Sequence, residues 1–435
     1  MNSRDLLTRL AAAATVVLLL GALGPARSAG QVIELSIDDC VARALEVNVS
    51  VLQANYDVER TDGAGMSALS RLLPSVNYRV NYRRSPFFGV VEGRVVQPGA
   101  FSTGLYFNQP IFHGGTEISG WRAAEADKRA SMERLLAVES EIAMVARQRF
   151  LDVLKAQKLL EVQEEAFELS ERQRERAEAL VEVGSAVISD VLRAKVEVSR
   201  NKLDLISAQN DLRLAETALC HFLAIDGECS VVLDEDLGID EREYRLDEVL
   251  DTAMRMRPEV REAEATMKSR NYGVWQNRGY WLPWFDFDAN YTWSGEDRLD
   301  LSDAWEESEL TWSVSMSWNV FSGLARWGSG KQAKARLKTA QEDFSQIKRD
   351  VALEVKEAYY NVEEARQRMK VSAETVELSE EEFKLAVERY RLGAATMLEQ
   401  IDSQVSLSEA RISHVEARYD YVMSLARLAR AAGLR

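Results

Sequence analysis

The chain contains one pattern twice, at a fixed offset. Leu73-Pro74 returns as Leu282-Pro283 and Asn81-Tyr82 as Asn290-Tyr291, each 209 residues later. The same shift carries Asp38 onto Asp247, Ala44 onto Ala253, Phe112 onto Phe321, Gly114 onto Gly323, Gly184 onto Gly393 and Leu219 onto Leu428, with no gap from about residue 37 to 222. Most other side chains differ. What repeats is the punctuation: prolines, glycines and aromatics that set where elements begin and end. Coincident helical periodicity does not account for it, because proline and strand-like segments align as well. One architectural unit must be built twice.

Each unit reads helix, strand, strand, helix, helix. A helical stretch opens at Asp38 or Asp247 and ends near the proline, since the residue before proline avoids the α region. The hydrophobic period then becomes two. In the second unit Phe285, Phe287, Ala289, Tyr291 and Trp293 alternate with Asp286, Asp288, Asn290, Thr292 and Ser294. Leu310, Trp312, Val314, Met316, Trp318 and Val320 alternate with threonine, serines and Asn319. In the first unit Val76, Tyr78, Val80 and Tyr82 alternate with Asn77, Arg79, Asn81 and Arg83, and a weaker strand spans Phe101 to Gln109.

Two architectures use such strands. A soluble sandwich puts the apolar face in a core. A transmembrane barrel puts it in lipid, and strands of about 9–11 tilted residues with aromatic-rich outer faces suit that role. Four strands set between long helices have no second sheet to pack on, which favours the barrel. An arginine such as Arg79 facing lipid at the midplane costs about 2–4 kcal/mol, so the polar faces line the lumen. Four strands cannot close a membrane barrel, which needs about eight or more, and open edges are excluded from lipid. The chain therefore oligomerises, and closure alone allows a dimer, trimer or tetramer.

Two long helical runs follow each strand pair. Glu117 to Val183 is 67 residues, about 100 Å of helix at ~1.5 Å per residue. Gly184 offers a left-handed turn, and the returning helix carries Val191, Ala194, Val198, Asn201, Leu205, Ala208, Leu212, Ala215 and Leu219 at coiled-coil spacing. The second unit repeats this around Gly393, with Val355, Tyr359, Val362 and Met369 outward and Leu407, Ala410, Ala417, Tyr421 and Leu428 on return.

The N-terminus reads as an export signal. Arg4 and Arg9 precede an apolar run from Leu10 to Leu20, too short to span a bilayer, and Ala26 and Ser28 suit a peptidase site after Ser28. Cys40 lies too far on for N-terminal lipidation. Export permits disulfides, and Cys220 and Cys229, flanking Asp226-Gly227, form a candidate pair. A net charge of −16 excludes a nucleic-acid partner.

No motif carries catalysis, a cofactor or a metal. His113, His221 and His414 are scattered, and HExxH, GxSxG and zinc spacings are missing from the sequence. Gly328-Ser329-Gly330-Lys331-Gln332 approaches a phosphate-binding loop, but the first glycine is missing and Gln332 cannot serve as the Ser/Thr metal ligand. His414 falls on the coil seam as a packing residue. No enzyme activity is expected.

The ordered set of features resembles the TolC-like outer-membrane efflux protein family. It is carried by Leu73-Pro74, Asn108-Gln109-Pro110-Ile111-Phe112, Trp318-Asn319-Val320-Phe321-Ser322-Gly323, and the turns Val183-Gly184-Ser185 and Leu392-Gly393-Ala394. The resemblance implies a mainly α protomer with a membrane β-barrel, trimeric, whose twelve-stranded barrel continues into a twelve-helix coiled-coil tunnel. The boundaries are a signal peptide over 1–28 and a first repeat over 29–222, with strands 75–83 and 101–110 and a coil hairpin 117–222. A linker over 223–245 leads to a second repeat over 246–431, with strands 284–294 and 310–320 and a hairpin 325–431.

The resemblance also implies an outer-membrane location in contact with its lipid. It implies a passive duct working with a periplasmic adaptor, which docks at the coil tips, and with an inner-membrane pump of RND, ABC or MFS type. It places an acidic constriction at Glu399, Asp402 and Asp190, with Arg193 as a tip latch. The lumen residues it implies are Asp286, Asp288, Asn290, Asn77, Arg79 and Asn81. Copies of Glu399 and Asp402 around a narrow mouth would bind cations and resist closure by mutual repulsion. The competing reading is a periplasmic coiled-coil structural or adaptor protein without membrane strands.

Overall fold

The structure, a computed structural model, describes residues 31–84, 89–91, 94–96, 99–184, 186–225, 229–233, 244–296 and 308–434. The signal-peptide reading, Ser185 and part of the 223–245 linker lie outside the described residues. Eight helices are described: α1 Ile37–Val47, α2 Val49–Ser70, α3 Thr116–Glu182, α4 Ile188–Phe222, α5 Leu246–Met256, α6 Pro258–Gly279, α7 Ala325–Arg391 and α8 Met397–Ala431. The strands are β1 Gln31–Leu35, β2 Ser75–Arg84, β3 Gly89–Val91, β4 Arg94–Val96, β5 Gly99–His113, β6 Cys229–Leu233, β7 Trp284–Glu296 and β8 Ser308–Ser317. Both ends of α1, α2, α3 and α4 map onto those of α5, α6, α7 and α8 at the 209-residue offset. Side chains differ across the offset, yet the helix limits agree to the residue.

Local chemistry explains these limits. Ser36 caps α1 in a capping box with Asp39. The single helix expected before each proline is in fact two. Asn48 and Arg257 adopt extended backbone, with φ −71° and ψ 126° and φ −61° and ψ 123°. Pro258 then opens α6 at a position where its missing N–H costs nothing. Proline is missing from the sequence between Pro110 and Pro258 and after Pro283, so α3 and α7 run for 67 residues each. β8 stops at Ser317, short of the expected 320, and the indole N–H of Trp318 turns to the Trp281 carbonyl at 3.2 Å.

The chain divides into two compact units. One holds the residues up to Asn48, Val145–Asp240 and Ala365–Met423. Here β1 and β6 pair in parallel, a contact from within the expected linker that the sequence pattern did not reveal. Cys40, Ala44, Ala146, Phe150, Val153, Leu219 and Leu223 are buried, and the Cys40 thiol reaches the Ala146 carbonyl at 3.8 Å. The other unit holds Val49–Met144, Glu241–Glu364 and the residues from Ser424. It contains a short β3–β4 hairpin and an antiparallel sheet in the order β2-β5-β7-β8. Its core includes Val249, Ala253, Val260, Val274, Val351, Val355 and Leu428, with Arg257 buried among charged partners.

Candidate functional site

The strand registers settle which side chains share a face. Asn77 lies opposite Tyr106, Arg79 opposite Gly104 and Asn81 opposite Ser102. Tyr106 lies opposite Asn290 and Asn108 opposite Asp288. Directly paired residues project to one side, so Asn77, Arg79, Asn81, Asp288 and Asn290 form one polar face, and Asp286, opposite Pro110, joins it. Asn108 Nδ2 donates to Asp288 Oδ1 at 2.8 Å, and the Arg79 guanidinium lies 5.0 Å from the Tyr106 ring centre. The opposite face carries Val76, Tyr78, Val80, Tyr82, Leu105, Leu310, Trp312, Val314 and Met316, all exposed, with Trp312 at 71%. Within the chain, β2 and β8 are the outer strands of this sheet.

A register shift between Pro110 and Phe112 interrupts the ladder, which resumes with Phe112 opposite Phe285 and His113 opposite Trp284. His113 lies stacked on Trp284, with ring centres 4.5 Å apart. Its Nδ1 meets Glu117 Oε1 at 2.7 Å and its Nε2 meets Asp286 Oδ1 at 2.9 Å. This constellation joins β5, α3 and β7, and its members lie up to 173 residues apart. Sequence reading classed His113 as scattered; only its i,i+4 spacing to Glu117 hinted otherwise. Beside it Gly114, at φ +66°, crosses so close to Gly279 that a Cβ would sit 2.2 Å from the Gly279 carbonyl oxygen.

The coil tips are built alike. Gly184 and Gly393 have φ of 72° and 73°. Gly184 N–H donates to the Val181 carbonyl at 3.0 Å. Gly393 N–H donates to Tyr390 and Ala394 N–H to Arg389, at 3.0 and 2.8 Å, closing α7 as a Schellman turn. Val183 and Leu392 leave apolar side chains 72% and 75% exposed. Beyond the turns, Ala177, Val191, Ala194, Met397 and Ile401 make a common core, flanked by Val181, Tyr390 and Val405.

The charged candidates are placed differently in the two tips. Glu399 shares a capping box with Thr396, at 3.3 and 3.4 Å, and its Oε2 lies 3.5 Å from Arg389. Its repeat equivalent, Asp190, follows Val187, which has no side chain able to cap. Arg193 reaches Asp190 at 3.9 Å within its own helix. Asp402 is exposed.

Sequence reading missed two participants here. Arg389 is the cation beside Glu399, signalled only by basic residues in the last turn of α7. Glu197 takes the buried seam position expected for Val198, which is half-buried. Burial raises the Glu197 carboxyl above its ordinary value, and the Asp204 and Asp402 carboxylates add to the rise. Below the tip Ser170, Gln173, Gln400, Ser403 and Gln404 form a buried polar stretch, where Gln404 donates to the Ala166 carbonyl at 3.4 Å.

The remaining candidates are quickly placed. His414 accepts or donates at Ser372, 3.1 Å away, and burial lowers its pKa. Gly328–Gln332 lies within α7 as helix, so it forms no loop. Cys220 is disulfide-bonded and Cys40 is a free, buried thiol; the Cys229 side chain lies outside the described residues. Among the described residues no helix is long and apolar enough to cross a membrane, which says nothing of strands.

A family model for outer membrane efflux proteins matches residues 40–224 and again 249–434, two stretches that begin 209 residues apart. The chain belongs to the outer membrane efflux protein family. Its curated relatives include outer membrane protein TolC of Vibrio cholerae serotype O1, 21% identical over 370 residues that cover 84% of this chain and 83% of that protein. Among solved structures, CusC superimposes with a TM-score of 0.82 at 17% identity, covering 95% of this chain and 96% of CusC. VceC of Vibrio cholerae gives 0.78 at 16%, covering 91% and 96%. The fold is that of an outer-membrane channel, and this efflux protein is mainly helical and located in the outer membrane.

Proposed function

We propose that three copies of this efflux protein close a twelve-stranded barrel, continued by a tunnel of twelve helices, which forms a passive duct across the outer membrane and periplasm. The supporting observation is the β2-β5-β7-β8 sheet. Among the described residues the apolar side chains of its outer strands β2 and β8 lie exposed, and neither strand has a second strand beside it. In lipid such edges must be paired, and sister copies supply the pairing. The polar face with Asn77, Arg79, Asn81, Asp286, Asp288 and Asn290 then lines the lumen.

The tips Val183-Gly184-Ser185 and Leu392-Gly393-Ala394 present apolar side chains for a periplasmic adaptor, which links the duct to an inner-membrane pump. Glu399, Asp402 and Asp190 set the charge of the mouth, and the Arg389–Glu399 and Arg193–Asp190 pairs temper it. Reconstitution in planar bilayers tests the reading. Wild-type protein is expected to give cation-selective pores blocked by divalent ions, and Glu399→Gln with Asp402→Asn to reduce both properties. A monomer soluble without detergent and forming no pores would refute the duct. Unchanged selectivity in the double variant would refute the acidic mouth.

A further inference from the structure

The chain is acidic overall, yet two stretches that meet at one end of the sheet carry no carboxylate. From 265 to 285 the charged residues are Lys268, Arg270 and Arg278, and from 310 to 341 they are Arg326, Lys331, Lys334, Arg336 and Lys338. Between α6 and α7 these stretches line an open cavity of about 810 Å³ whose lining includes Arg278, Arg326, Lys331, Lys334, Trp281 and Trp327. Trp281 lies three residues before β7, and α7 begins eight residues after the end of β8, so the cavity sits where strand gives way to helix.

The two arginines are held by rings and uncharged oxygens rather than neutralised. Arg326 lies 4.8 Å from the Trp281 ring centre and donates to Ser322 Oγ and the carbonyls of Tyr280 and Asn319, all uncharged. Arg278 stacks 4.5 Å from the Trp275 ring centre, and Trp281 meets Trp327 edge-on at 5.6 Å. Among the described residues no carboxylate pairs with Arg278, Arg326, Lys331 or Lys334. The exposed apolar side chains of β8 run on through Trp318, Val320, Phe321 and Leu324 to this cavity. The repeat itself does not require the charge: at the 209-residue offset the four cations correspond to Leu69, Glu117, Arg122 and Glu125.

We propose that this cavity binds the anionic phosphodiester headgroup of a glycerophospholipid, with its acyl chains along the apolar face of β8. The inference rests on the membrane-barrel reading, which places this end of the sheet at the lipid–water boundary. Charge complementarity selects the anionic headgroup, the tryptophans mark the interfacial depth, and continuity with the apolar strand face selects a lipid over a free anion.

Lipid-stripped trimers in neutral detergent are titrated with phosphatidylglycerol, with phosphatidylcholine of the same chain length, and with inorganic phosphate, and bound lipid is counted by native mass spectrometry. Phosphatidylglycerol is expected to bind in preference to phosphatidylcholine. Lys331→Gln with Lys334→Gln is expected to weaken phosphatidylglycerol about 30-fold, leaving phosphatidylcholine binding and pore conductance unchanged. Lys331→Arg with Lys334→Arg restores the preference. Equal phosphatidylglycerol binding by wild type and the glutamine variant overturns the proposal. Displacement by millimolar inorganic phosphate does so too, as it marks a free-anion site. Loss of trimers in the glutamine variant overturns it as well, as it shows a sister subunit in the cavity. Absence of pores from the wild type would instead sink the duct itself.

Discussion

Arg257→Met tests the packing of the corner between α5 and α6. Arg257 is 4% exposed. Its Nε and one terminal nitrogen hold both oxygens of Glu259 at 3.0 Å, that nitrogen also meets Glu354 at 2.8 Å, and the other reaches the Ala431 carbonyl at 3.3 Å. Breaking a buried ion pair by removing one partner costs about 3–5 kcal/mol. Here Glu259 and Glu354 keep 31% and 45% of their side-chain surface in water, which lowers the expected cost to about 2–3 kcal/mol. Because a membrane protein of two compact units does not unfold in two states, the readout is local hydrogen exchange over 246–260 and 424–431. A loss of that size accelerates exchange by about 30- to 150-fold. Glu354→Gln, at a half-exposed partner, is expected to cost about 1 kcal/mol or less. Exchange in Arg257→Met within threefold of wild type would refute the reasoning.

Four further outcomes are expected at other places in the structure. Glu197 is held above its ordinary carboxyl value of 4.5 by burial, so its ionised form opposes tip packing at pH 7. Acidification through the raised value stabilises the tip, with the gain complete below 4.5, and Glu197→Gln should slow exchange over 188–201 at pH 7 and flatten its pH dependence. Gly114→Ala should abolish membrane assembly, because its Cβ meets the Gly279 carbonyl. Gly115→Ala, at φ +79° with open space around it, should cost only about 1–2 kcal/mol and assemble, as heat-modifiable gel migration will report. Non-reducing peptide mapping should join Cys220 to Cys229. Cys40, its thiol pushed up to about 11 by burial, should resist alkylation at pH 8 until the protein is unfolded.

What the sequence revealed is tied to short-range rules. Alternation along Trp284–Ser294 showed the faces of β7, and Gly184 and Gly393 marked the turns, because pleat and left-handed backbone leave local traces. The β1–β6 pair escaped because its partners are about 200 residues apart and each is five residues long. The Arg257 and His113 clusters escaped because one carboxylate of each, Glu354 and Asp286, lies 97 and 173 residues away in the chain. On α4 Glu197 is buried with Val191, Ala194 and Asn201 in place of Val198, because apolar spacing marked the valine and could not foresee a carboxylate taken into the packed face. The extra break at Asn48 had no proline to announce it, and only the offset from Arg257-Pro258 pointed there.

The twin turns at Gly184 and Gly393 share one backbone but not one chemistry. At equal distances past the glycine, one presents Asp190 and Arg193 and the other Glu399 and Asp402. A binding partner that grips both therefore meets a left-handed glycine in each and opposite polarity at the second charged site. A symmetric grip would suit only one of them. The two halves of this protein are thus free to acquire separate clients at their ends while their shared architecture stays fixed.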